Sequence, residues 1–141
     1  MHTRKIHIFI QLALIALTFN VSANEPIFKC KLNKNKQLIL YKNTNSITYS
    51  FGKIGFKPEL ELSRKKEQID IDLENLSGRY ATNSIEFTNG KFSYKITTGV
   101  DRIANEQKPS TSLTVIENNI ELTTLQCIKG SEEGSLLNIN D

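Results

Sequence analysis

The chain has 141 residues, 38% of them hydrophobic, and a formal net charge of +3. Two of its 18 Lys and Arg but none of its 15 Asp and Glu lie in residues 1–23, so residues 24–141 carry only 16 − 15 = +1. A near-neutral stretch of 118 residues suits one domain with one core and lacks the basic field expected of nucleic-acid or membrane-surface binding.

Both histidines, His2 and His7, also fall in the first 23 residues. Without histidine or a free thiol, Ser-His-Asp triads, Cys-His pairs and ordinary zinc sites are excluded from the rest of the chain. Only carboxylate or lysine chemistry is left; the reading is a non-enzyme with no cofactor and no metal.

In chain order, residues 1–23 read as a cleaved signal peptide. Arg4 and Lys5 open it, an apolar run covers Ile6 to Leu17, and Val21 and Ala23 are the small residues a signal peptidase needs. Asn20, Ser22, Asn24 and Glu25 interrupt the run before the roughly 20 apolar residues of a bilayer span, so no stable membrane insertion is expected. Cys30 follows Ile27-Phe28-Lys29 rather than the small residues of a lipobox. These features predict a periplasmic or secreted protein. In an oxidising compartment its two cysteines, Cys30 and Cys127, would pair across nearly the whole domain.

From Ile27 onward the pattern alternates with a period of two and is rich in β-branched and aromatic residues. Strand-like runs cover Ile27 to Leu32, Gln37 to Lys42, Ser46 to Phe51, Glu59 to Ser63 and Ile69 to Leu73. Four more cover Ser84 to Thr88, Lys91 to Thr98, Leu113 to Ile116 and Ile120 to Cys127. Asn89-Gly90 reads as a two-residue hairpin loop pairing Phe87 with Phe92 and Ile85 with Tyr94, which collects the apolar side chains on one face. Asn118-Asn119 reads likewise, pairing Val115 with Leu122 and Ile116 with Glu121. A single helical turn is expected around Val100 to Glu106. The fold expected is an all-β antiparallel meander of about eight strands, a small barrel or flattened sandwich over residues 24–130 closed by the disulfide. Residues 131–141 read as a flexible polar tail.

Several groupings invite a chemical reading. Asp70, Asp72 and Glu74 are spaced to share one strand face, with Glu59 and Glu61 opposite; a calcium or glycosidase site competes there with a solvated, ion-paired face. Lysines at 29, 31, 34 and 36, and a second group at 53, 57, 65 and 66 with Arg64, suit a polyanion or, more simply, edges protected against aggregation. In "YSFGKIGFKPEL", Phe51 and Phe56 read as packed aromatics flanking a turn. The segment "LENLSGRYATNSIEF" reads as a connection of about nine residues carrying Ser77, Gly78, Arg79 and Tyr80. Loops of that length on a rigid sheet often carry binding function. The competing structural reading is a turn with Tyr80 packed on the rim and Arg79 paired to Glu74 or Glu86.

An aromatic-x-Cys start (Phe28-Lys29-Cys30), a closing Cys127, a central Ser77-Gly78-Arg79-Tyr80 and the run Phe87-Thr88-Asn89-Gly90 resemble the bacterial periplasmic inhibitors of c-type lysozyme. The spacing here is one residue shorter than that family's Ser-Gly-x-x-Tyr. The resemblance implies an eight-stranded barrel presenting this loop to the two catalytic carboxylates of the enzyme. Ser77 would be the inserting hydroxyl, Tyr80 the loop anchor and Lys91 a basic contact. The function expected is therefore a secreted binding protein whose partner is a lysozyme or other muramidase. The alternatives are a carrier holding a small apolar ligand inside the barrel and a periplasmic interaction protein without inhibitory activity.

Overall fold

The computed structural model describes residues 24–141; the expected signal peptide lies outside the described residues. Ten strands follow in order: β1 Glu25–Leu32, β2 Lys36–Lys42, β3 Ser46–Lys53, β4 Leu60–Lys65, β5 Asp70–Ser77, β6 Tyr80–Asn89, β7 Phe92–Asp101, β8 Ser110–Glu117, β9 Ile120–Gln126 and the short β10 Glu133–Gly134. They form two five-stranded antiparallel sheets, ordered β10-β1-β2-β3-β4 and β5-β6-β7-β8-β9. The fold is thus all-β and a sandwich, not a closed barrel.

Each sheet buries one side of its alternating strands. Leu38 and Leu40 of β2 and Tyr49 of β3 face Ile85 and Phe87 of β6, Ile96 of β7 and Leu113 of β8 in a common core. Tyr49 ties the layers together, its ring centroid lying 5.6 Å from that of Phe87 and 5.5 Å from that of Tyr94. Burial, reinforced by Tyr94, pushes the Tyr49 phenol well above its ordinary pKa. Large rings packed edge-tilted in this way stabilise a core beyond their area alone.

The meander is broken in the middle. The segment Arg64 to Gln68, expected to join two neighbouring strands, carries the chain from one sheet to the other through a 3-10 turn at Lys66–Gln68. Gln68 Oε1 accepts from the Lys65 amide at 3.1 Å and the Ile69 amide donates to Lys66 at 3.2 Å, which fixes the crossing. On the other side the Cys30–Cys127 disulfide, between residues 97 apart in sequence, joins β1 to the chain leaving β9. The Ile128 amide reinforces that seam by donating to the Lys31 carbonyl at 2.8 Å.

Two hairpins test the expected registers. At Asn118-Asn119 both residues have positive φ, +48° and +66°, and Ile116 pairs with Glu121 as expected. A bulge then makes Val115 pair with Thr123 instead of Leu122. The other turn is Gly90-Lys91, not Asn89-Gly90, and Phe87 pairs with Tyr94 and Ile85 with Ile96. Only Gly90 takes positive φ there, +64°, the arrangement of a type II′ loop with glycine first. The shift is by two residues, so parity, and with it the buried face, is preserved.

Three further expectations are corrected. Val100 and Asp101 belong to β7, and the residues after them form a bent loop rather than a helical turn. Phe56 is 69% exposed, although Phe51 is half-buried as expected. Residues 131–141 are not a flexible tail: β10 pairs with β1, and a 3-10 helix at Leu136–Asn140 buries Leu136 and Ile139 in the core. Ser135 caps that helix, its Oγ accepting from the Leu137 amide at 3.1 Å. The domain therefore spans residues 24–141.

Gly52 of β3 marks a close approach. A Cβ there would lie 2.8 Å from the Glu59 backbone nitrogen and 3.1 Å from the Pro58 Cα, because the β3–β4 connection folds back over the strand. Gly52→Ala is expected to destabilise the domain by about 1–3 kcal/mol through overpacking, read as a fall in the urea midpoint.

Candidate functional site at the β5–β6 tip

The expected nine-residue connection is a two-residue turn. β5 runs on to Ser77, β6 starts at Tyr80, and these two residues pair across Gly78-Arg79. Gly78 has φ +55° and Arg79 does not share it, again the type II′ pattern. A bulge at Leu73-Glu74 lets the irregular sequence continue the ladder: Glu74 takes φ +59° and its amide donates to Asn83 Oδ1 at 2.7 Å. An extra residue opposite a single partner shifts every later side chain by one place. That shift puts Leu76, at the inward parity, past the end of the core, where it is 65% exposed.

The turn is braced by the loop after β7. Asp101 stands opposite Tyr80, and Arg79 Nε donates to both its carboxylate oxygens at 2.8 Å, with Arg79 Nη2 also on Oδ2. The expected partners, Glu74 and Glu86, are not used. The Arg102 amide donates to the Arg79 carbonyl at 2.9 Å and Arg102 Nη1 to the Gly78 carbonyl at 3.2 Å. The Ile103 amide donates to Asp101 Oδ1 at 3.2 Å. The Arg79 guanidinium also lies 6.0 Å from the Tyr80 ring centroid, within reach of a cation–π attraction.

The Arg79 hydrogen bond holds the Asp101 carboxyl below the usual aspartate range, and Asp101 in turn raises Arg79. A depressed carboxylate pKa contributes stability above the unfolded aspartate value of about 3.9. That contribution is lost as pH falls through the lower folded value. In an NMR titration Asp101 should titrate below about 3.9, and Arg79→Gln should move it back toward that value.

Lys91 does not join this site. It sits in the turn beyond Asn89, at the opposite end of β6, and forms an ion pair with Glu117. Nine residue steps from Tyr80 to Asn89 at about 3.3 Å each put roughly 30 Å between the two ends. The residues brought to the tip instead are Arg102, Ile103 and Leu76. Only the register placing Asp101 opposite Tyr80 reveals the first two.

The acidic row is likewise dispersed. Asp70 and Asp72 pair with Glu86 and Ser84, the bulge takes Glu74 out of the row, and Glu61 lies in the other sheet opposite Ser50. Among the described residues no group of three or more His, Cys, Asp or Glu is placed to hold a metal ion. The middle of the sandwich is filled, with Leu38, Leu40, Ile85, Phe87 and Ile96 having no exposed surface. The described residues include no helix long and apolar enough to cross a membrane.

What the tip offers chemically is a fixed contact surface. Tyr80 is 50% and Ile103 71% exposed, flanked by two guanidiniums and the Ser77 hydroxyl. No protein-family model, curated protein or solved structure matches the chain.

Proposed function

We propose that this is an exported, non-enzymatic binding protein that docks the β5–β6 tip into a protein partner, specifically the acidic cleft of a lysozyme-like peptidoglycan hydrolase. The observation that carries this reading is the braced tip: an exposed Tyr80 on a turn tied to the neighbouring loop by the Arg79–Asp101 and Arg102–Gly78 bonds. Preorganisation removes much of the ordering cost of association. Tyrosine and arginine in such a setting are the residue types that dominate interface energetics.

A retaining glycosidase keeps one carboxyl protonated and its partner ionised. The Ser77 hydroxyl can meet the first, and the guanidinium of Arg102, which forms no ion pair among the described residues, the second, while Arg79 stays engaged with Asp101. Lys91 has no part in this contact, and no catalysis by the chain is required. The disulfide supports passage through an oxidising compartment, in keeping with a periplasmic or secreted location.

Purified residues 24–141 should slow lysis of bacterial cell walls by a c-type lysozyme. Tyr80→Ala should weaken the inhibition by about ten-fold or more, a hot-spot effect, with little change in Tm. Lys91→Ala should leave it unchanged. A panel of muramidases that neither bind nor slow in the presence of the protein would overturn the proposal.

A further inference from the structure

A second site lies away from the tip, where the two sheets part at the disulfide seam. A cleft of about 420 Å³ opens between the β1–β2 turn and the edge strand β9, a size that suits a small organic ligand. Leu32, Phe51 and Leu125 form its apolar lining, and Lys34, Lys36 and Gln126 its polar rim. Its two walls belong to different sheets, and Cys30–Cys127 ties them together within two residues of Leu32 and one of Gln126. The opening is therefore held at a set width.

The rim is cationic. Lys36 lies 5.7 Å from the Phe51 ring centroid and has Glu59 as its ion-pair partner. Among the described residues Lys34 has no carboxylate within ion-pair distance. Two ammonium groups, Lys34 and Lys36, thus meet one carboxylate beside an apolar lining. Lys34 also has φ +58°, a left-handed conformation that glycine or asparagine adopts at lower cost. A strained cationic residue kept at the mouth of a cleft suggests that the ammonium is used there.

We infer that this cleft binds an amphipathic monoanion, a medium-chain fatty carboxylate, with the alkyl chain against Leu32, Phe51 and Leu125 and the carboxylate at Lys34 and Lys36. A simple inorganic anion would leave the apolar wall in water, and a neutral alcohol would leave the ammonium groups unanswered. The inference does not rest on the tip or on any protein partner.

Isothermal titration of oxidised residues 24–141 with decanoate, below its micelle point and at low salt, tests it. Decanoate should bind about ten-fold or more tightly than either decanol or acetate. Lys34→Asn should weaken decanoate binding by a similar factor of about ten while raising Tm, because asparagine suits the backbone and the cation is lost. Amide shifts on addition of decanoate should centre on Asn33, Leu125 and Gln126, and Tyr80→Ala should leave the affinity unchanged. The inference fails if decanoate does not bind, if decanol binds as well, if Lys34→Asn binds decanoate like the wild type, or if the shifts map elsewhere.

Discussion

Replacing Cys30 and Cys127 together by serine is expected to lower the unfolding free energy by up to about 4–5 kcal/mol, the chain-entropy value for a loop approaching 100 residues. The bridged residues are 97 apart in sequence, so the cross-link restricts almost the entire described chain when it is unfolded. In the folded state the same bond closes a seam that hydrogen bonding covers thinly, through contacts such as Ile128 to Lys31 and Lys31 to Ser131. A domain of this size has a margin of about 5–15 kcal/mol, and the double variant should lose a large part of it. Urea unfolding of the oxidised wild type against the variant reads this directly. A difference under about 1 kcal/mol, well short of the loop-entropy value, would mean that packing alone holds the seam.

Deleting residues 131–141 should be comparably damaging. Leu136 and Ile139 are each about 1% exposed, packed beneath β1 and β6. Cutting a buried leucine or isoleucine back to alanine costs about 2–5 kcal/mol. The two side chains share neighbours, so their losses will not simply add, and a loss of about 2–5 kcal/mol is expected from their packing alone. The pairing of β10 with Phe28 and Lys29, and the Ser135 amide bond to the Ile27 carbonyl at 3.0 Å, go with them. The Leu136→Ala/Ile139→Ala double variant separates side-chain packing from the backbone contacts. A dispensable segment would change the urea midpoint by no more than an ordinary surface substitution, about 0.5 kcal/mol.

The geometry also sharpens the functional proposal. A partner of modest size that covers Ser77, Arg79 and Tyr80 does not reach Lys91 across roughly 30 Å of strand. The pair of substitutions at Tyr80 and Lys91 therefore reports which end of the sandwich is engaged. The cleft beside the disulfide is a third location, and its occupancy is read independently of both.

Alternation of apolar and polar side chains is a property of neighbouring residues, and it was enough to locate nine strands, the buried faces of β6 and β7, and the Asn118-Asn119 turn. In an oxidising compartment two cysteines with no other thiol pair with each other, so the disulfide was legible as well. Parity explains why the buried face was right while the Gly90-Lys91 register was off by two. The choice between barrel and sandwich was not local: it depends on whether the chain crosses sheets at Lys66–Gln68, and a turn of three polar residues carries no sign of that. Leu136 and Ile139 sit in a polar stretch with no strand or helix period, and only the gap they fill between β1 and β6 makes them core. The tip followed the same rule. Glycine at 78 and a bulge at 74 look like loop in sequence, yet a ladder closes over them because the end of β7 and the loop after it supply Asp101 and Arg102 from more than twenty residues away. Residue types and their spacing state what each strand buries; which strands meet, and so which charges and rings share a surface, is settled by long-range packing that no single stretch of the chain contains.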